Sequence, residues 1–79
     1  MDIRHYNDWV QIGLNILHYR KEQRLTQEQL AHISLPLGGV SRNHIQRVEN
    51  ATAGCSVDLL IDIAKALNIP LCKLFEFKE

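Results

Sequence analysis

The chain has 79 residues, 46% of them hydrophobic, with nine Lys and Arg balanced by nine Asp and Glu for a formal net charge of zero. This length suits one small domain over residues 1–79, and the apolar content is too high for a disordered chain. No apolar run approaches the roughly 20 residues that cross a bilayer, and the opening Met1-Asp2-Ile3-Arg4-His5-Tyr6 lacks the basic-then-apolar pattern of a secretory signal, so a cytoplasmic protein with no membrane partner is expected.

A first helix is predicted over about 7–22. Tyr6, Trp9, Val10, Gly13, Ile16, Leu17 and Arg20 recur at three- and four-residue steps. Asn7 would cap it, with Asp8 in the first turn. Gly13 is costly inside a helix and points to close packing against another. Thr26-Gln27-Glu28-Gln29 is a capping-box pattern that opens a second helix, with Leu30, Ala31 and Ile33 turned inward. Pro36 ends that helix by Ser34 or Leu35, and Leu37-Gly38-Gly39 reads as a turn.

Ser41 caps a third helix from Arg42 to about Glu49, with Val40, Ile45 and Val48 inward. A small-residue loop follows. Ser56 then caps a fourth helix, Val57 to Leu67, with Leu60, Ile63, Ala64 and Leu67 inward and Asn68 as its stop. Pro70 opens a short fifth helix carrying Leu71, Leu74 and Phe75. No segment alternates as a strand does, so the expected fold is all-α, a compact five-helix domain. Cys55 and Cys72 lack CxxC spacing; two free, partly buried thiols are the plain reading, and a disulfide or metal site the alternative.

Zero net charge does not suggest DNA, since phosphate neutralisation drives much of DNA affinity. Between Arg20 and Asn50, however, five cations (Arg20, Lys21, Arg24, Arg42, Arg47) face three anions (Glu22, Glu28, Glu49). Around Ile45 and Val48 the third helix turns Ser41, Arg42, Asn43, His44, Gln46 and Arg47 outward. Arg pairs bidentately with guanine, and Asn or Gln with adenine. Asn43 and Arg47 stand one turn apart on one face. A solvated polar face is the plain alternative.

Ile12-Gly13, Ile16 and Arg20, Leu25-Thr26-Gln27-Glu28-Gln29-Leu30-Ala31, Val40-Ser41-Arg42 with Ile45-Gln46-Arg47-Val48-Glu49-Asn50, and the run from Leu60 to Ile69 together resemble the lambda Cro/repressor-type, or XRE, helix-turn-helix family. The resemblance covers Ile12 to Phe75 and implies a lambda-repressor-like domain. Its helix-turn-helix lies between Leu25 and Asn50, and the third helix enters the major groove of double-stranded DNA. It implies base contacts from Ser41, Arg42, Asn43 and Arg47, backbone contacts from Gln27 and Asn50, and a structural ion pair between Arg20 and Glu49. His44 is placed with the backbone contacts, with plain exposure as the equal alternative.

Two departures stand out. The stretch from His32 to Gly39 is about four residues longer than the family's turn. Its Leu35-Pro36-Leu37 either packs on the core or offers a contact to a protein partner. Ala51 stands where the family commonly has Gly, and would carry strain if φ there is positive.

The resemblance further implies a homodimer on a two-fold symmetric operator. The apolar residues near the ends, Trp9, Val10, Leu71, Leu74, Phe75 and Phe77, are candidates for its interface, although Leu74 and Phe75 fit the monomer core better. The rival is a protein-interaction module, antitoxin-like or an adaptor, which zero net charge favours. Catalysis is not expected, because no phosphate-cradling loop or metal spacing is present and His5, His18, His32 and His44 lack usefully spaced carboxylates. No cofactor is expected.

Overall fold

The computed structural model describes residues 5–34, 40–52 and 54–76. Their elements are α1 (Tyr6–Glu22), α2 (Gln27–Ser34), α3 (Arg42–Glu49), α4 (Val57–Ala66) and a 3-10 helix, Leu71–Phe75. The fold is all-α, and no strand occurs among the described residues. The expected fifth helix is thus a 3-10 turn: five residues after Pro70 are too few for an i to i+4 ladder, and Lys73 N–H donates back three residues to the Pro70 carbonyl at 3.0 Å.

Helix starts follow their caps. Thr26 Oγ1 accepts from Gln29 N–H at 3.0 Å, and Gln29 Oε1 accepts from Thr26 N–H at 2.8 Å, closing the capping box. Ser41 Oγ accepts from His44 N–H and Ser56 Oγ from Leu59 N–H. At α1 the expected cap is displaced. The helix already includes Asn7, and His5 precedes it without a side-chain cap.

Three helices end alike. At α1, Arg24 N–H bonds Lys21 O and Leu25 N–H bonds Arg20 O; at α3, Ala51 bonds Val48 and Thr52 bonds Arg47; at α4, Asn68 bonds Lys65 and Ile69 bonds Ala64. This pairing is the Schellman motif, which places one residue in the left-handed region. Those residues are Arg24 (φ 58°), Ala51 (φ 57°) and Asn68 (φ 56°), none of them Gly. An L side chain there costs roughly 1–2 kcal/mol, least for Asn. Ala51 does carry the strain that its sequence context suggested.

One core joins all elements, with Ile16, Leu30, Ile45, Val48, Leu67 and Leu74 completely buried. α1 packs on α3 and on the 3-10 helix, and α2 packs on α3 and α4. On α1 the inward face is Ile12, Gly13, Ile16 and Arg20, with Trp9, Val10 and Leu17 half-buried and Tyr6 49% exposed. On α2, Ser34 is buried where Ile33 was expected, and Ile33 is exposed. Leu74 fills the core, whereas Phe75 is 40% exposed. Asn15 Nδ2 holds the 3-10 helix by donating to the carbonyls of Leu74 at 2.9 Å and Glu76 at 3.0 Å. Gln23 Nε2 ties the end of α1 to the Leu67 carbonyl.

Gly13 meets α3 as its position predicts. A Cβ there would stand 2.5 Å from Val48 O and 2.7 Å from Glu49 O. Cys55 and Cys72 are free thiols; Cys55 is half-buried as expected, whereas Cys72 is exposed. Burial pushes the Cys55 thiol up to about 11, which keeps it protonated and unreactive at neutral pH.

Ser34 sets the spacing of α2 and α3. Its hydroxyl donates to Ala31 O at 2.7 Å and accepts from the buried Val40 N–H at 2.9 Å. Ser34→Ala is expected to cost about 1–3 kcal/mol, because Val40 N–H is left buried without a partner. Chemical denaturation would measure the loss, and unchanged stability would mean that another group takes up that N–H. The expectations for Leu35-Pro36-Leu37 and Phe77 fall outside the described residues.

Candidate nucleic-acid interface

α3 has a dry side and a wet side. Ile45 and Val48 are 0% exposed. Opposite them Arg42, Asn43, Gln46 and Arg47 are exposed, with Ser41 exposed at the start and Asn50 exposed at the end. The Ser41 oxygen accepts the cap bond, which leaves its O–H to donate outward. His44 differs from this set: it is half-buried, and its Nε2 is buried with no hydrogen-bond partner among the described residues. Asn50 caps the end of α3, its N–H donating to Gln46 O at 3.0 Å.

Beneath this face the carboxylate of Glu49 gathers three helices. Arg20 Nε donates to Oε2 at 2.8 Å and Nη2 to Oε1 at 3.0 Å, a bidentate pair at the α1–α3 contact. Arg20 Nη1 also donates to Leu25 O at 2.8 Å. Gln27, from the first turn of α2, donates its Nε2 to Glu49 Oε1 at 3.0 Å. Gln27 is therefore steered by the end of α3, and its amide keeps one N–H for a second acceptor.

The structure thus brings Ser41, Arg42, Asn43 and Arg47 onto one exposed surface, puts Asn50 at its far end and Gln27 at its flank, and pairs Arg20 with Glu49 beneath. Lys21 and Arg24 lie close to Arg42 and Gln27 around an open cleft. Both belong to the cations between Arg20 and Asn50, and neither has a site role among the expected contacts. The cluster of Arg20, Lys21 and Arg24 just before the capping box was the available signal. Contrary to expectation, two histidines do face carboxylates: His5 Nδ1 lies 3.8 Å from Asp8 and His18 Nε2 lies 3.4 Å from Glu22, both as exposed surface pairs. Among the described residues no three His, Cys, Asp or Glu cluster as metal ligands, and no helix is long and apolar enough to cross a membrane.

A helix-turn-helix family model matches residues 16–74, most of the chain. The chain belongs to the XRE-type helix-turn-helix family. A helix-turn-helix regulator of this kind binds double-stranded DNA sequence-specifically and acts in transcription; the family is one of DNA-binding regulators. The control protein C.SmaI of Serratia marcescens is 42% identical over 60 residues, covering 76% of this chain and 67% of that one. The antitoxin PezA of Streptococcus pneumoniae is 40% identical over 58 residues, and the match spans only 34% of its length. Among solved structures, the restriction-modification controller C.AhdI of Aeromonas hydrophila superposes with a TM-score of 0.81 at 31% identity, over 90% of this chain and 97% of that one.

Proposed function

We propose that this helix-turn-helix regulator is a non-catalytic, single-domain cytoplasmic protein that reads a two-fold symmetric operator as a homodimer, in the manner of a restriction-modification controller. The observation that carries the DNA-reading assignment is the amphipathic build of α3. Ile45 and Val48 are sealed in the core, so Arg42, Asn43 and Arg47 face out together. Ser41, Arg42, Asn43 and Arg47 read bases in the major groove. Gln27 and Asn50 hold the DNA backbone. His44 joins them only after its ring turns outward, given the burial of Nε2. The controller assignment is supported by the likeness to C.SmaI and to C.AhdI, each of which bears the name of such a protein or of a control protein.

Two substitutions test the division of labour. Arg42→Ala is expected to cost about 1–3 kcal/mol of binding and to relax specificity at one base pair. Gln27→Ala should weaken all sequences about equally. Selection from a random duplex library, followed by titration of each variant, separates them. Identical behaviour of the two variants would refute the assignment.

Exposed apolar side chains at Tyr6, Leu14, Ile33, Val57 and Phe75 are available to a homodimer interface, and a single domain reads few bases against a genome. A dimer places half-sites roughly 34 Å apart, one turn of the duplex. Sedimentation is expected to give a dimer at micromolar concentration, and the selected motif should be a palindrome. A monomer bound to an asymmetric site would overturn this reading.

A further inference from the structure

The protein has no net positive charge, yet its DNA-reading surface has a cationic flank. An open cleft of about 690 Å³ is lined by Arg20, Lys21, Arg24, Leu25, Thr26 and Gln27, together with Glu28 and Arg42. The cations come from three elements: Lys21 from the last turn of α1, Arg24 from the connection to α2, and Arg42 from the first turn of α3. Arg20 is engaged by Glu49 and Leu25 O. Lys21, Arg24 and Arg42 are exposed, and none makes an ion pair with a described residue. Glu28 is the single carboxylate on the rim among the described residues, exposed in the first turn of α2. The cleft therefore holds more uncommitted positive charge than it can neutralise.

We infer that Lys21 and Arg24 clamp a backbone phosphate of the bound DNA in this cleft, with Arg42 joining the clamp to the base-reading face. The inference rests on the DNA-reading function of α3. The major groove is about 12 Å wide and walled by phosphates, so a helix that reads bases from its first residue has a phosphate within side-chain reach of its start. Arg42 occupies that first position. Arg24 adds a separate argument. It sits at φ 58°, where Gly would carry no steric penalty, and it supplies a long exposed cation in return. A positioning clamp of this kind also accounts for DNA binding by a chain of zero net charge, because affinity follows the phosphates neutralised locally rather than the overall sum.

The test uses the duplex recovered by random-library selection with the unmodified protein, and a scrambled duplex of the same length. Binding of both is measured by anisotropy from about 50 to 200 mM salt. Lys21→Gln and Arg24→Gln are each expected to weaken both duplexes by roughly tenfold. Each should also flatten the log–log salt slope by about 0.9, the value for one released counterion, and leave the selected motif unchanged. Arg24→Gly guards against misfolding: it should melt about 4 °C higher, from relieved backbone strain, and still bind more weakly. Unchanged slopes with unmodified-like affinity would overturn the clamp and leave the DNA reader intact. A shifted motif would make these residues base readers and overturn it as well. If the unmodified protein binds neither duplex at low salt, the DNA-reading assignment itself falls, and the clamp with it.

Discussion

Gly13→Ala is expected to lower the melting temperature by roughly 10 °C. The added Cβ would lie 2.5 Å from Val48 O and 2.7 Å from Glu49 O. These are backbone atoms of the last turn of α3, so no side chain can swing aside to make room. Forcing a methyl into packed space costs about 1–3 kcal/mol, and more when backbone must move. The gain in helix propensity returns about 1 kcal/mol. A net loss near 2 kcal/mol shifts the midpoint by roughly 8–16 °C in a domain of this size. Val48 O also accepts the Ala51 N–H that closes α3, so the end of the reading helix would shift too. DNA affinity should therefore fall even below the melting transition. Calorimetry and a binding titration check the two effects. A variant that melts and binds like the original would show that α1 and α3 do not approach this closely.

The second large effect belongs to Glu49. Glu49→Ala removes the acceptor of three hydrogen bonds, two from Arg20 and one from Gln27. The buried guanidinium would keep only the Leu25 carbonyl. Breaking one side of a buried pair costs about 3–5 kcal/mol, because the remaining charge stays out of water. A small domain has only about 5–15 kcal/mol in hand, so this variant should lose a large share of its stability and melt roughly 12–40 °C lower. Arg20→Met with Glu49→Leu removes both charges, and is expected to recover most of the stability. It should not recover DNA affinity, since Gln27 loses the group that steers it. A double-mutant cycle by urea denaturation measures the coupling; an additive cycle, within about 0.5 kcal/mol, would mean that the pair does not act as a unit.

The starts of α2, α3 and α4 were legible in the sequence because each capping signal is local, whereas at α1 the expected cap Asn7 lies inside the helix. Thr26, Ser41 and Ser56 all cap the helices that their spacing announced. Helix ends were harder to read. None of the three Schellman closures carries Gly, and only Asn68 offered a compositional hint. The face of α1 was partly misread, since Tyr6 and Leu17 share a three-to-four spacing with Ile16 and Arg20. Rotation about the helix axis is fixed by what packs on it, and Ile12 occupies the inner position instead. On α3 two apolar residues three apart leave a single inner face, so the outward set followed except for His44, which is half-buried. The cationic cleft could not be read in the same way. It joins Lys21, Arg24 and Arg42 across two connections, and the direct packing of α1 on α3 brings the three together.

The Ser34 hydroxyl bears on how this chain tolerates change between α2 and α3. By bonding Ala31 O behind it and Val40 N–H ahead of it, one side chain fixes both ends of the connection 35–39. The approach of α3 to the end of α2 is then held by those anchors. Doubling a flexible connection adds only about 0.6 kcal/mol of closure entropy. The chain can thus gain or lose residues there, or accept a grafted epitope, while the base-reading helix keeps its register on the operator.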